Sequence, residues 1–185
     1  KTFENPISLQ YLNSSNPEFQ FANVDQGTIG GIELELRKTL GFIAPAFDKF
    51  KISTNLTLIT STMDVIEQSG LEPESRPFEG QSPLLANLSL GYLNPDSKWD
   101  IQVSYNYTGE RLAVVGLNSP DIYERGLSTL DAVISKKLGN VSLKFAANNL
   151  LNPNYTTSSE YLGQEYLTRQ YKKGTSFVLS VAYEL

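Results

Sequence analysis

The sequence predicts an all-β chain: a stretch of antiparallel transmembrane β-barrel wall built from about eight strands. Three observations carry that prediction. Apolar and polar residues alternate with period two, the connections between the alternating runs are short and long by turns, and aromatic residues collect at strand ends.

The alternation is clearest at the C-terminus. In Ser176–Leu185 the residues Phe177, Leu179, Val181, Tyr183 and Leu185 share one face, opposite Ser176, Val178, Ser180, Ala182 and Glu184. The same pattern predicts strands over 31–38, 50–62, 84–92, 99–109, 128–138 and 141–149. A weaker one is expected over about 2–11, interrupted by Pro6. In 31–38, Ile32, Leu34 and Leu36 oppose Glu33, Glu35 and Arg37. In 99–109, Ile101, Val103, Tyr105 and Tyr107 oppose Gln102, Ser104 and Asn106. One apolar and one wet face suits an antiparallel sheet with unlike surroundings, whereas a doubly covered parallel sheet needs continuous Val/Ile/Leu runs.

The connections add direction. The segments 64–83, 112–126 and 151–174 are long and polar, and the connections at Asn94–Lys98 and Gly139–Asn140 are tight. Leu40–Lys49 is the exception, of medium length, apolar and proline-containing. Long loops at one end and short turns at the other are the pattern of outer-membrane barrels. Tyr92, Trp99, Phe50, Tyr183 and Leu185 fall toward the short-turn end, and Tyr105, Tyr107 and Tyr123 toward the other, as two lipid–water interfaces would select. A soluble β-sandwich also alternates, and it is the alternative that the connections and aromatics argue against.

Composition narrows the function. The chain has no Cys and no His, which removes disulfides, thiol and triad chemistry and nearly all zinc, haem and iron–sulfur sites. Its net charge of -5 argues against nucleic acid, which needs a clustered basic surface. No catalytic residue, metal or cofactor is therefore expected. The carboxylate pairs Asp121/Glu124 and Glu72/Glu74 are not assigned as acid–base dyads, because no His, metal-ligand spacing or pocket accompanies them. No apolar run reaches the roughly 18 residues of a transmembrane helix, and no export signal opens the chain. A barrel must be exported, so Lys1 is expected to lie inside a longer precursor. Six Asn-x-Ser/Thr triplets occur, at Asn13, Asn55, Asn87, Asn106, Asn140 and Asn154. Several lie within predicted strands, where alternation produces the triplet without any glycan.

A series of landmarks resembles the C-terminal end of TonB-dependent outer-membrane receptors, particularly the Bacteroidetes type. These are Phe3–Ile7, Gly30–Lys38, Arg76–Pro83, Ser104–Arg111, Pro120–Glu124, Leu130–Asp131, Ala147–Tyr155 and Tyr171–Gly174, in that order, before the final strand. The resemblance implies a barrel of about 22 strands with a plugged lumen, of which residues 1–185 would be the last eight strands, without the plug or the earlier wall. It implies a receptor for active uptake of a scarce, bulky solute such as a siderophore or glycan, in the outer membrane of a Gram-negative cell. Implied partners are outer-membrane lipid, the protein's own N-terminal plug and remaining strands, a TonB-type coupling protein acting through the N-terminal part, and the barrel-assembly machinery reading the last strand. The family usually ends in an aromatic residue, and this chain ends in Leu185. A small self-closed eight-stranded barrel, acting as adhesin, anchor or lipid-modifying enzyme, is the second reading.

Two sets of side chains are candidates for function. Glu33, Glu35, Arg37, Asp131 and Lys144 are charged residues within strands, expected to face the lumen because a lipid-facing Lys or Arg at mid-bilayer costs about 2–4 kcal/mol. Tyr123, Glu124, Arg125, Tyr155, Glu160 and Tyr161, with Tyr166, lie in the long connections, where ligand recognition tends to reside.

Overall fold

The structure, a computed structural model, describes residues 1–12, 16, 18–65, 74–117 and 119–184. In chain order its strands are β1 (Thr2–Glu4), β2 (Ile7–Leu12), β3 (Glu18–Asn23), β4 (Gln26–Thr39), β5 (Phe50–Val65), β6 (Glu74–Arg76), β7 (Leu84–Asn94) and β8 (Trp99–Thr108). There follow β9 (Arg111–Leu117), β10 (Ile122–Glu124), β11 (Leu127–Leu138), β12 (Val141–Asn148), β13 (Tyr155–Tyr161), β14 (Gln164–Tyr171) and β15 (Ser176–Tyr183).

They form two sheets. The wall has the order β1-β4-β5-β7-β8-β11-β12-β15, all antiparallel, with β6 added to the end of β5. Register keeps like with like across it. Glu35 pairs with Asn55, Asn55 with Asn87, Asn87 with Asn106 and Asn106 with Thr129. One residue along, Leu88 pairs with Tyr105 and Tyr105 with Leu130, and further on Ile134 pairs with Phe145 and Phe145 with Leu179. Because successive side chains point to opposite sides, this register makes one face mainly polar, crossed by the row Val133, Ala146 and Val178, and the other mainly apolar. The apolar face is bare: Ile32, Leu34, Leu179 and Val181 are each 60–69% exposed. An apolar area of this extent is suited to lipid and not to water. Among the described residues nothing covers it, so the two sheets do not make a sandwich.

Three connections at one end are short: 40–49, 95–98 and 139–140. The apolar one, 40–49, forms two 3₁₀ turns, Leu40–Phe42 and Pro45–Phe47. Phe47 there stands edge-on to Phe50, which packs on Tyr92 at 4.9 Å. Trp99 lies near this end under Lys136, whose ammonium is 4.7 Å from the ring centroid. The turn's apolar character thus belongs to an aromatic belt at the edge of the apolar face.

The other end departs from expectation. The long connections contain strands, and these assemble into a second sheet, β14-β13-β10-β9-β2-β3. The expected first strand, 2–11, is divided at Asn5-Pro6. Asn5 has φ +50°, β1 stays on the wall, and β2 leaves it to pair in parallel with β9. The wall accordingly has seven long strands and the short β1 where eight strands were expected. The buried core sits where the second sheet meets the wall: Leu112, Val115 and Leu117 of β9 pack with Met63 and Val65 of β5 and with Val24. Met63 and Val65 continue the polar face of β5 in parity, so on this strand that face turns apolar where the crown of loops covers it.

The wall is open. Among the described residues no pairing joins β15 to β1 or β4, and β15 is exposed along its length.

Candidate ligand platform

Arg76 ties the crown sheet to the wall, and Arg111 and Arg125 brace the crown itself, each arginine held by acids. Arg76, on β6, bridges Asp121 at 2.7 Å and Glu74 at 2.6 Å, and Asp121 also accepts from the Gly116 amide at 2.9 Å. Arg111, at the start of β9, donates to Glu124 from both Nε (2.9 Å) and Nη2 (2.7 Å). Arg125, just after β10, reaches Glu110, Ser158 on β13 and Glu165 on β14, the last at 2.7 Å. The planar guanidinium with its five donors is the group suited to such multi-point bridging.

Between wall and crown lies a cleft of about 490 Å³, lined by Ser61, Gln81, Tyr107, Glu110, Arg111 and Tyr123 among others. A second, more apolar cleft of about 400 Å³ is bounded by Phe3, Ile29 and Phe78. Burial pushes the Tyr123 hydroxyl above its ordinary value, and the Asp121 carboxylate acts the same way, so Tyr123 stays a neutral phenol near neutral pH. Burial likewise raises Glu79, against hydrogen bonds from Ser8 Oγ (2.7 Å) and backbone amides. The first cleft offers paired charge, amide and phenol groups above apolar walls, an arrangement for holding a polar organic solute by several contacts. Among the described residues no group of His, Cys, Asp and Glu could hold a metal ion.

The loop candidates are dispersed. Tyr123 lines the cleft and packs on the core instead of standing free. Glu124 and Arg125 are engaged by Arg111 and by Glu110 and Glu165. Tyr155 stacks on Tyr171, with centroids 5.2 Å apart, at the base of the β13–β14 hairpin. Glu160 and Tyr161 lie at its tip, away from the cleft, and Tyr166 is beside them on β14. Asp121 and Glu124 have separate arginine partners and form no dyad; Glu72 lies outside the described residues. Of the cleft, the sequence reading missed Gln81, Tyr107, Glu110 and Arg111. The glycines there, Gly80 beside Glu79 and Gly109 beside Glu110, were the available signal, marking turns next to charged residues.

Glu33, Glu35, Arg37, Asp131 and Lys144 all fall on the polar face by register. Arg37 pairs with Glu35 on its own strand at 2.6 Å, and Glu33 accepts from Asn55. Asp131 accepts from the Asn149 amide at 2.7 Å, capping the turn after β12. The triplet residues Asn55, Asn87 and Asn106 lie within strands on this face, Asn140 and Asn154 lie in connections, and Asn13 is outside the described residues.

An antiparallel wall with a bare apolar face, a hydrogen-bonded polar face and folded long loops at one end defines the class: a membrane β-barrel segment. The family described as "TonB dependent receptor-like, beta-barrel" matches residues 1–150, and the chain belongs to that family, whose barrels reside in the outer membrane. No curated protein matches the sequence. Among solved structures it resembles the "Copper transporter OprC" (TM-score 0.63, 16% identity, 98% of this chain and 27% of that one). It also resembles the FrpB iron transporter from Neisseria meningitidis, F3-3 variant (0.63, 17%, 98% and 26%), and the siderophore receptor PiuA from Acinetobacter baumannii (0.59, 18%, 97% and 24%). The chain spans about a quarter of each of these proteins. The family and these neighbours are receptors and transporters, not enzymes.

Proposed function

We propose that the chain is the C-terminal part of the barrel wall of a receptor that imports a scarce, bulky solute, a ferric siderophore or a glycan. The open sheet carries this reading. A wall of seven long strands with an unpaired β15 edge and an unpaired stretch of β4 needs further strands to close, which weighs against a small self-closed barrel. The remaining strands and the plug would come from the rest of a longer protein. The polar face, with Glu33, Glu35, Arg37, Asp131 and Lys144, then lines the lumen beside the plug. The crown captures solute at the cleft of Arg111, Glu110 and Tyr123. A TonB-type protein pulling on the plug supplies the energy, and β15 is the strand presented to the barrel-assembly machinery. The Bacteroidetes-type affinity rests on the ordered motifs from Phe3–Ile7 to Tyr171–Gly174.

Growth of a deletion strain on ferric siderophore, haem, cobalamin or glycan as limiting nutrient tests the reading. Loss of growth on one of them, restored by the full-length gene, is expected. Wild-type growth on all four would contradict it.

A further inference from the structure

The second, apolar cleft holds one charged residue. It measures about 400 Å³, and Phe3, Pro6, Ile29, Phe78, Glu79 and Gln81 are among the residues that line it. Its rings are fixed: Phe3 shares by register the face of Gly27, Phe78 seats over that glycine, and the two rings meet edge-on at 5.6 Å. Glu79 is held as firmly. It stands in a turn that the Gln81 amide closes on the Phe78 carbonyl at 3.2 Å, with Gly80 next to it at φ +72°, the position where a type II turn requires φ above zero. The Phe78 amide donates to Ser61 Oγ of the wall at 3.0 Å, and the Gly80 amide to the Leu112 carbonyl of the crown at 2.8 Å. Ser8, fully buried, donates to Glu79 Oε1 at 2.7 Å, and the Leu9 amide donates to the same carboxyl.

This carboxylate lacks a counter-charge. All fifteen Lys and Arg residues lie among the described residues, and none of them stands within 4 Å of it. The charge that bears on it is another anion, Asp121. By contrast Asp121, Glu110, Glu124 and Glu165 each have an arginine. A half-buried acid without a cation is costly to keep charged. An apolar cavity with one fixed anion matches a ligand with an apolar body and a single cationic centre. The Phe3 ring already takes such a group, since the Lys1 ammonium stands 5.7 Å from its centroid. A metal ion needs several oxygen ligands, and the cleft sets one carboxylate among hydrocarbon. Strands that close the barrel add to β1 and β4 in the plane of the sheet, so they do not fill a cleft on its face.

We propose that the cleft of Phe3, Phe78 and Glu79 binds an organic ammonium ion, with its charge on the Glu79 carboxylate and its apolar body against the two rings and Ile29. The ammonium supplies the charge-assisted hydrogen bond that no cation of the chain gives Glu79, and the rings add cation–π and apolar contact. The inference rests on the fold of wall and crown and on no transported solute.

The test uses the full-length receptor in detergent, titrated with phenethylammonium and with phenethyl alcohol, its neutral counterpart of the same size, and followed by calorimetry. The wild type is expected to bind the ammonium roughly tenfold more tightly than the alcohol, the gain appropriate to one hydrogen bond between charged groups. Glu79→Gln keeps an oxygen for the Ser8 bond, so it should bind the alcohol as wild type does and lose the preference for the ammonium. Phe78→Ala should weaken both probes, and Lys98→Gln, at the short-turn end, should change neither. Equal binding of the ammonium by wild type and Glu79→Gln would overturn the proposal, as would a wild-type preference for the alcohol. Failure of the wild type to bind either probe would overturn it too, and is the result expected if a basic side chain from elsewhere in the receptor fills the cleft. Growth on a limiting nutrient is a separate readout, so its outcome leaves this result independent of the transport reading.

Discussion

Phe78 lies directly over Gly27: a Cβ built on the glycine would come within 2.2 Å of the ring's Cζ. The ring also meets Phe3 edge-on at 5.6 Å. The lack of a side chain on β4 therefore lets the 77–83 connection seat on the wall. Gly27→Ala is expected to expel the ring and destabilise this part of the crown by about 1–3 kcal/mol, the usual cost of overpacking. Hydrogen exchange over 77–83 should quicken in Gly27→Ala and lose most of that sensitivity when Phe78→Ala is already present.

Arg125 joins the two long connections β8–β11 and β12–β15 through Glu110, Ser158 and Glu165. Arg125→Met should free the β13–β14 hairpin while leaving the wall intact. The groups are more than a third exposed, so solvent screening keeps the effect small. Protease cleavage near Leu162-Gly163 should accelerate in the variant, and added salt should narrow its difference from wild type.

Two crown carboxylates should give opposite pH responses. Burial raises Glu79 in the folded state, so its contribution to stability is present below the unfolded pKa and is lost as pH rises through the folded one. Glu165 is held low by its Ser158 and Arg125 contacts, so its contribution is present above the unfolded pKa and is lost as pH falls through the folded one. Hydrogen exchange corrected for intrinsic rates should show 77–83 better protected toward acid and 164–171 better protected toward neutral pH. Glu79→Gln and Glu165→Gln should each flatten only their own segment's response.

The faces should differ in tolerance of charge. Leu90→Lys on the apolar face of β7 is expected to cost about 2–4 kcal/mol near the bilayer centre, and Ser89→Lys on the polar face little. Denaturant unfolding of the full-length receptor in lipid measures both.

The wall was legible in the sequence because two-sided surroundings impose period two, and register then follows from the pattern. β8 and β15 match their expected spans to within about two residues. The crown was not legible, for a physical reason. β9, Arg111-Leu112-Ala113-Val114-Val115-Gly116-Leu117, is covered on both faces in part and does not alternate. β13 is half-buried and β14 exposed, and both are polar, so they resemble loop in composition. Their signal was the Tyr- and Thr-rich runs on either side of Leu162-Gly163, both with positive φ, the two-residue turn that closes a hairpin. The cleft followed the crown into obscurity, since Gln81, Glu110 and Arg111 meet only through long-range pairing. Arg125 was recognised as a residue of interest, but its three partners could not be read from spacing.

The assignment of faces is tested most directly by site-specific lipid quenching. Residues 1–185 hold no cysteine, so single replacements can be labelled along β7 and β8 in the full-length receptor once any cysteine elsewhere in it is replaced. Fluorophores at Leu88→Cys, Leu90→Cys and Val103→Cys should be quenched by nitroxide-bearing lipid, and those at Asn87→Cys, Ser89→Cys and Ser104→Cys should respond only to a water-soluble quencher. Quenching that fails to alternate from residue to residue, or that alternates with the opposite sign, would contradict a barrel wall with its apolar face in lipid.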